Sequence, residues 1–144
     1  MNESVYEILE KISKQKTVKQ RVTSLSKYQN DFAVKVIVDC VFNPNIEFLL
    51  PETDPPYTPV DEAVDAQNVL KREVRKIKYF VNTADGQQLR PFKREQMFIE
   101  LLESIDPNDA KLLLNVKNKK LPFKGITAKI VADAFPGIDE KWKK

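Results

Sequence analysis

The chain has 144 residues, of which 42% are hydrophobic and 31% charged, and its net charge is +3. This length predicts one domain, residues 1–144, around a single hydrophobic core. Histidine is absent, and the chain has one cysteine and three glycines, which excludes a structural zinc site, an internal disulfide and a glycine-rich phosphate loop. We therefore expect a non-catalytic protein that needs no metal and no cofactor.

Neither a transmembrane helix nor a secretory signal peptide is visible in the sequence. No apolar run approaches the roughly 18 residues that a bilayer-spanning helix requires. The N-terminus is acidic from Glu3 onward and has no continuous apolar stretch. Because the single Cys40 cannot form an internal disulfide, a reducing compartment is indicated. We predict a cytoplasmic protein.

Charge is distributed unevenly along the chain. Residues 1–30 have six basic and three acidic side chains, residues 31–110 have nine and fifteen, and residues 111–144 have nine and three. The two ends are therefore positive and the middle is negative, which predicts a folded surface with distinct poles. A cationic pole suits phosphate groups, and it suits an acidic protein partner as well.

The first two helices are predicted from capping residues and apolar spacing. Ser4, with Glu7 three residues later, forms the pattern of a capping box in front of a helix. Thr17 is the expected N-cap of a second helix that extends to about Tyr28. On this second helix, Arg21 is expected to point outward with the neighbouring lysines.

The third helix is predicted to begin after Asn30 or Asp31. Its β-branched run VKVIVDCV favours a strand on propensity alone. Apolar residues continue at i+3 and i+4, however, and the flanks lack hairpin turns, so we predict a helix. Residues 46–50 are expected to form a short apolar turn of helix, and the proline-rich residues 51–60 an extended internal loop.

The second half of the chain predicts further helices and a turn around Asp85 and Gly86. The helices are expected over residues 61–81, from Pro91 or Phe92 to Ser104, from about Asp106 to Lys117, and from Thr127 to about Phe135. Together these segments predict an all-α, compact single-domain bundle of six to eight helices.

Residues 117–135, KNKKLPFKGITAKIVADAF, have the most informative charge pattern. Four lysines precede a glycine-containing turn and a helix capped by Thr127, and Lys129 lies in its first turn. A helix N-terminus attracts anions, and a cation there is unfavourable unless an anion is near. The pattern predicts a phosphate contact similar to half of a helix-hairpin-helix element. The alternative is a solvated lysine-rich loop, which is the usual role of a charge run.

The whole chain resembles the N-terminal DNA-binding domain of ATP-dependent DNA ligases of the T-even bacteriophage type. In this chain, VYEILEKISKQKTVKQ resembles the opening helix and basic turn of the ligase domain. NDFAVKVIVDCVFNPNIEFLLP resembles the helix that follows there, and LLLNVKNKKLPFKGITAKIVADAFPG resembles the domain's closing element. The chain is also similar to short stand-alone proteins of large tailed phages. It departs from the ligases in lacking a Lys-x-Asp-Gly motif, since residues 83–86 read Thr-Ala-Asp-Gly.

The resemblance implies the ligase-domain fold and a grip on DNA, without adenylation or nick sealing. By the resemblance, Lys124, Gly125, Thr127 and Lys129 correspond to residues that contact the DNA backbone. Pro122 and Phe123 stand where the ligase domain usually has basic residues before the glycine. With the charge pattern, the predicted DNA-binding residues are Lys117, Lys119, Lys120, Lys124, Gly125, Thr127, Lys129, Lys14, Lys16 and Lys19. We expect sequence-nonspecific binding to the backbone and minor groove of double-stranded DNA.

A second hypothesis makes the same scaffold a protein-interaction module. The acidic, proline-rich residues 51–66 would then contact a host or phage replication or transcription protein, and the lysines would face an acidic partner. In either case, a phage-encoded chain would work in the cytoplasm of the host cell. The mobility of labelled duplex at low salt distinguishes the two hypotheses.

Overall fold

Eight α-helices and two 3-10 helices make up the structure, a computed structural model that describes residues 4–58 and 70–142. The α-helices are α1 (Val5–Ser13), α2 (Val18–Ser26), α3 (Phe32–Phe42), α4 (Leu70–Glu73), α5 (Ala84–Gln88), α6 (Pro91–Ser104), α7 (Pro107–Lys117) and α8 (Ala128–Ala134). The 3-10 helices are Val74–Tyr79 and Ile138–Trp142. None of these described helices has both the length and the apolar composition needed to cross a bilayer.

The helices bury their apolar faces in one shared core. Val5, Ile8, Leu9 and Ile12 recur at helical spacing on α1 and all lie inside. The apolar stripe of α3, the buried face of α7 and the aromatic ring of Phe80 complete the same cluster. The predicted all-α bundle is therefore confirmed for the described residues.

Side-chain caps fix where several of the helices begin, α1, α2, α3 and α8 among them. Ser4 Oγ accepts a hydrogen bond from the Glu7 amide at 3.1 Å, and Asp31, rather than Asn30, caps α3. Thr17 caps α2, where Gln20 completes a capping box that the sequence analysis did not predict. Thr127 caps α8. Each cap satisfies an amide that the first turn of a helix leaves without a partner, so these starts follow from local sequence.

The predicted helical turn at residues 46–50 is wrong. Phe48 instead forms an isolated antiparallel bridge with Val81. The amide of Leu49 donates to the carbonyl oxygen of Phe80 at 2.8 Å, and that of Asn82 donates to Glu47 at 2.9 Å. The backbone here pairs with a distant segment, and that pairing, rather than the local apolar spacing, determines the conformation.

The remaining differences concern the middle of the chain. Residues 61–69 of the long helix predicted for residues 61–81 lie outside the described residues. The described remainder consists of α4, the 3-10 helix that follows, and the non-helical residues 80 and 81. The predicted turn around Gly86 is the short helix α5, which Thr83 caps. In the proline-rich loop, residues 51–58 contain no helix, and residues 59 and 60 lie outside the described part.

Candidate functional site

Lys117, predicted to contact phosphate, is buried at the end of α7. Only 4% of its surface is exposed. Its Nζ donates hydrogen bonds to the carbonyl oxygens of Pro51 at 2.8 Å, Glu52 at 2.9 Å and Thr53 at 3.3 Å. Burial lowers the pKa of this ammonium. Lys117 therefore fastens the proline-rich loop to α7 and does not face outward as a phosphate contact.

Lys119 has the same kind of role at the end of α3. Its Nζ donates to the carbonyl oxygens of Cys40, Asn43 at 2.7 Å and Ile46 at 2.8 Å. The last carbonyls of a helix have no partner within the helix, and an ammonium group offers three donors. Lys119 adopts a φ of 63°, and burial lowers its pKa. The prediction that Lys119 is an outward phosphate contact does not fit this geometry, and the same holds for Lys117.

The other lysines of the predicted set are exposed. These are Lys14, Lys16, Lys19, Lys120, Lys124 and Lys129. Lys120 lines an open groove that Glu47 and Glu52 also line, so acidic side chains accompany it. The remaining five lie around the starts of α2 and α8.

A close contact at Gly125 brings these two groups of lysines together. A Cβ atom at Gly125 would lie 2.7 Å from the carbonyl oxygen of Ser13 and 3.1 Å from Nε of Arg21. The same Nε donates to the carbonyl oxygen of Gln15 at 3.0 Å. The turn before α8 therefore rests directly on the junction of α1 and α2, although about 110 residues separate them.

Helices α2 and α8 run side by side in the same direction. α8 packs along α2, with the Gly125 contact near the start of both. At the other end, Nε2 of Gln29 donates to the carbonyl oxygen of Ala134 at 3.0 Å. The capping residues Thr17 and Thr127 consequently lie at the same end of the pair.

The chain segments around this end have no acidic residues. None occurs in residues 11–30 or in residues 111–132. Lys14 forms an ion pair with Glu10 at 3.9 Å across an exposed surface, where such a pair contributes little. We call the region formed by Lys14, Lys16, Lys19, Lys124 and Lys129 the α2–α8 surface. Its net positive charge favours anionic partners.

The lysine side chains, rather than the amides of α8, supply this positive charge. Thr127 is exposed, but its Oγ1 already accepts the Ile130 amide at 3.3 Å. Ile126 and Val131 are buried beside it, as a hydrophobic staple requires. The predicted phosphate contact at a helix start therefore reduces to its flanking lysines and the close approach at Gly125.

Arg21 is the residue whose role the sequence did not indicate. It was expected to point outward, but it is partly buried between the Gln15 carbonyl and Gly125. Nothing in its local sequence distinguishes it from the exposed cations of α2. Cys40 lies in the core, where burial raises the pKa of its thiol to about 12, so it is not an activated nucleophile.

Comparison with known proteins identifies the family. Residues 8–122 match a family of unknown function (DUF6433), and the chain therefore belongs to that family. The matched range includes the α1–α2 junction and ends before Gly125. No curated protein and no solved structure matches the chain.

Proposed function

We propose that this member of DUF6433 binds double-stranded DNA through its backbone phosphates, without base specificity and without catalysis. One observation carries the proposal. Two acid-free, lysine-containing segments far apart in the sequence meet in the α2–α8 surface. Neither segment alone is unusual, but together they form a cationic region of the kind that phosphate requires.

The chemistry of the surface favours backbone contact over base reading. Its exposed groups are ammonium groups on flexible stems, which act as point charges toward phosphate. Gln20 and Arg21, which lie beside these lysines, are already engaged with the backbone: Oε1 of Gln20 accepts the Thr17 amide at 3.3 Å, and Nε of Arg21 donates to the carbonyl oxygen of Gln15 at 3.0 Å. The resemblance to the DNA-binding domain of phage-type DNA ligases supports the same function, because Lys124, Gly125, Thr127 and Lys129 match its backbone-contacting element.

The test measures how the affinity for duplex DNA depends on salt. The variant replaces four lysines by alanine: Lys14, Lys19, Lys124 and Lys129. Each phosphate contact contributes about −0.9 to the slope of log affinity against log salt. We expect a steep slope for the natural protein, and a slope shallower by about 3.6 for the variant. Fluorescence anisotropy with a labelled duplex, at salt concentrations from about 50 to about 200 mM, measures both slopes.

A control removes positive charge at other positions of the molecule. Lys93 on α6 and Lys111 on α7 are exposed lysines outside the α2–α8 surface. Their alanine variants should retain the natural slope. If the natural protein does not bind duplex at low salt, or if the control and test variants lose the same slope, DNA binding by this surface is refuted. Capture of an acidic protein partner through the same lysines would then become the favoured function.

A further inference from the structure

A six-residue pattern occurs twice in the α2–α8 surface. Residues 14–19 read Lys-Gln-Lys-Thr-Val-Lys, and residues 124–129 read Lys-Gly-Ile-Thr-Ala-Lys. Both have lysine, threonine and lysine at the first, fourth and sixth positions. The two copies are 110 positions apart, and their other residues differ.

The two copies also share their local structure. Thr17 has φ −118° and ψ 156°, and Thr127 has φ −117° and ψ 167°. Each hydroxyl accepts a hydrogen bond from the amide three residues later, at 3.1 Å for Thr17 and 3.3 Å for Thr127. In both copies one lysine therefore lies three residues before the cap and another lies two residues after it.

Packing then places the two copies next to each other. Because α2 and α8 run in the same direction and meet at Gly125, their starts form adjacent and similar ends. We call Lys14 and Lys19 the first pair, and Lys124 and Lys129 the second pair. All four side chains are exposed.

We infer that the two pairs bind the two strands of one duplex, one pair to each strand, so that the protein bridges the strands. This inference rests on the proposed function. Two packed helices have axes about 8–10 Å apart, whereas the minor groove is about 6 Å wide. Lysine side chains on neighbouring helix starts therefore reach phosphates on both walls of that groove.

The equivalence of the pairs favours the same arrangement. The strands of a duplex are equivalent, and proteins with two equivalent contact sets use this symmetry when they bind DNA. The lysine side chains make these contacts and the helix-end amides do not, since each threonine cap already occupies an amide.

The experiment uses a duplex in which one strand carries neutral methylphosphonate linkages. If each pair binds one strand, the two pairs together contribute about −3.6 to the slope on unmodified duplex, and the natural protein should lose about half of that contribution, about 1.8, on this duplex. If both pairs bind the same strand, the protein would choose the charged strand and keep its full slope. That result would overturn the inference and leave the proposed function standing.

Two variants complete the design. Lys14→Ala with Lys19→Ala removes the first pair, and Lys124→Ala with Lys129→Ala removes the second. On unmodified duplex, each variant should have about half of the salt slope of the natural protein. On the half-neutral duplex, each variant should keep the slope that it has on unmodified duplex, because its remaining pair can bind the charged strand. Unequal losses for the two variants would also refute the inference. Absence of binding to the unmodified duplex would instead refute the proposed function.

Discussion

Lysines that are neighbours in the sequence have opposite roles in this protein. Lys117 and Lys119 point inward, and each ammonium group lies against three backbone carbonyl oxygens. Lys124 and Lys129, a few residues later, are exposed beside an acid-free surface. The difference comes from where the fold leaves carbonyl groups without partners. A run of lysines therefore does not define one face.

Asp109 is a buried acidic residue that can be compared with the two inward lysines. Asp109 is 3% exposed, and its Oδ1 accepts a hydrogen bond from the Tyr6 amide at 2.9 Å. Burial raises its pKa to about 6, and the Tyr6 hydrogen bond opposes that rise only in part. Each inward lysine thus lies against three carbonyl oxygens, whereas the carboxylate of Asp109 accepts the Tyr6 amide.

The largest effect is expected for Lys119→Met, which keeps the length of the side chain and removes its charge. The carbonyl oxygens of Cys40 and Ile46 then lose this donor, while that of Asn43 keeps the Ile46 amide. This loss should lower the free energy of unfolding by about 3–5 kcal/mol. Lys120→Met is the matched control, since Lys120 is exposed, and should change it by less than about 0.5 kcal/mol. Urea denaturation measures both. Similar losses in the two variants would erase the distinction between inward and outward lysines.

Asp109→Asn should change the pH dependence of stability. The pKa of Asp109 rises from its usual 3.8 to about 6 in the folded protein. The folded state therefore binds the proton more tightly, so this group stabilises the fold at low pH and the contribution is lost as the pH rises from about 4 to 6. Relative to the natural protein, the variant should gain about 2–3 kcal/mol over this interval.

The asparagine retains an oxygen for the Tyr6 amide, so the comparison isolates the charge. Urea unfolding of both proteins at pH 4 and pH 7 supplies the measurement, and all other carboxyl groups cancel in the difference. Parallel pH profiles would show that Asp109 does not carry an unfavourable charge in the core.

Gly125→Ala should have a smaller effect on stability. The added Cβ would lie 2.7 Å from the carbonyl oxygen of Ser13, so the α8 turn must move away from the α1–α2 junction. Overpacking of this kind costs about 1–2 kcal/mol. Because Gly125 does not have a positive φ, backbone strain adds nothing.

Gly125→Ala should also affect DNA binding, because it separates the first pair of exposed lysines from the second. Separation of the two pairs should weaken duplex binding even though every lysine remains. Thermal unfolding and anisotropy measure the two effects. Lys124→Ala serves as the control: it should lower the salt slope by about 0.9 and leave stability unchanged. Unaltered binding by Gly125→Ala would show that the junction does not position the surface.

Local features were predictable from the sequence, and long-range ones were not. Ser4, Thr17 and Thr127 were identified as caps because each bonds an amide only three residues away. The partners of Lys119 lie more than 70 residues from it, and no local pattern specifies them. The bridge at Phe48 escaped prediction for the same reason.

The α2–α8 surface likewise has features that the sequence predicts and features that it does not. Its exposed lysines were predicted from the charge pattern and, for Lys124 and Lys129, from the family resemblance, but their proximity depends on Gly125 and on the partly buried Arg21. Neither contact can be read from the neighbouring residues. The equivalence of the two six-residue copies becomes meaningful only once α2 and α8 are known to lie side by side.

The buried thiol of Cys40 gives the chain a built-in reporter. It is the only cysteine, it is 3% exposed, and its raised pKa leaves almost no thiolate at neutral pH. An alkylating reagent therefore reacts with it only after α3 separates from the rest of the core. The rate at which the thiol is blocked thus counts how often the native molecule opens, without an added label.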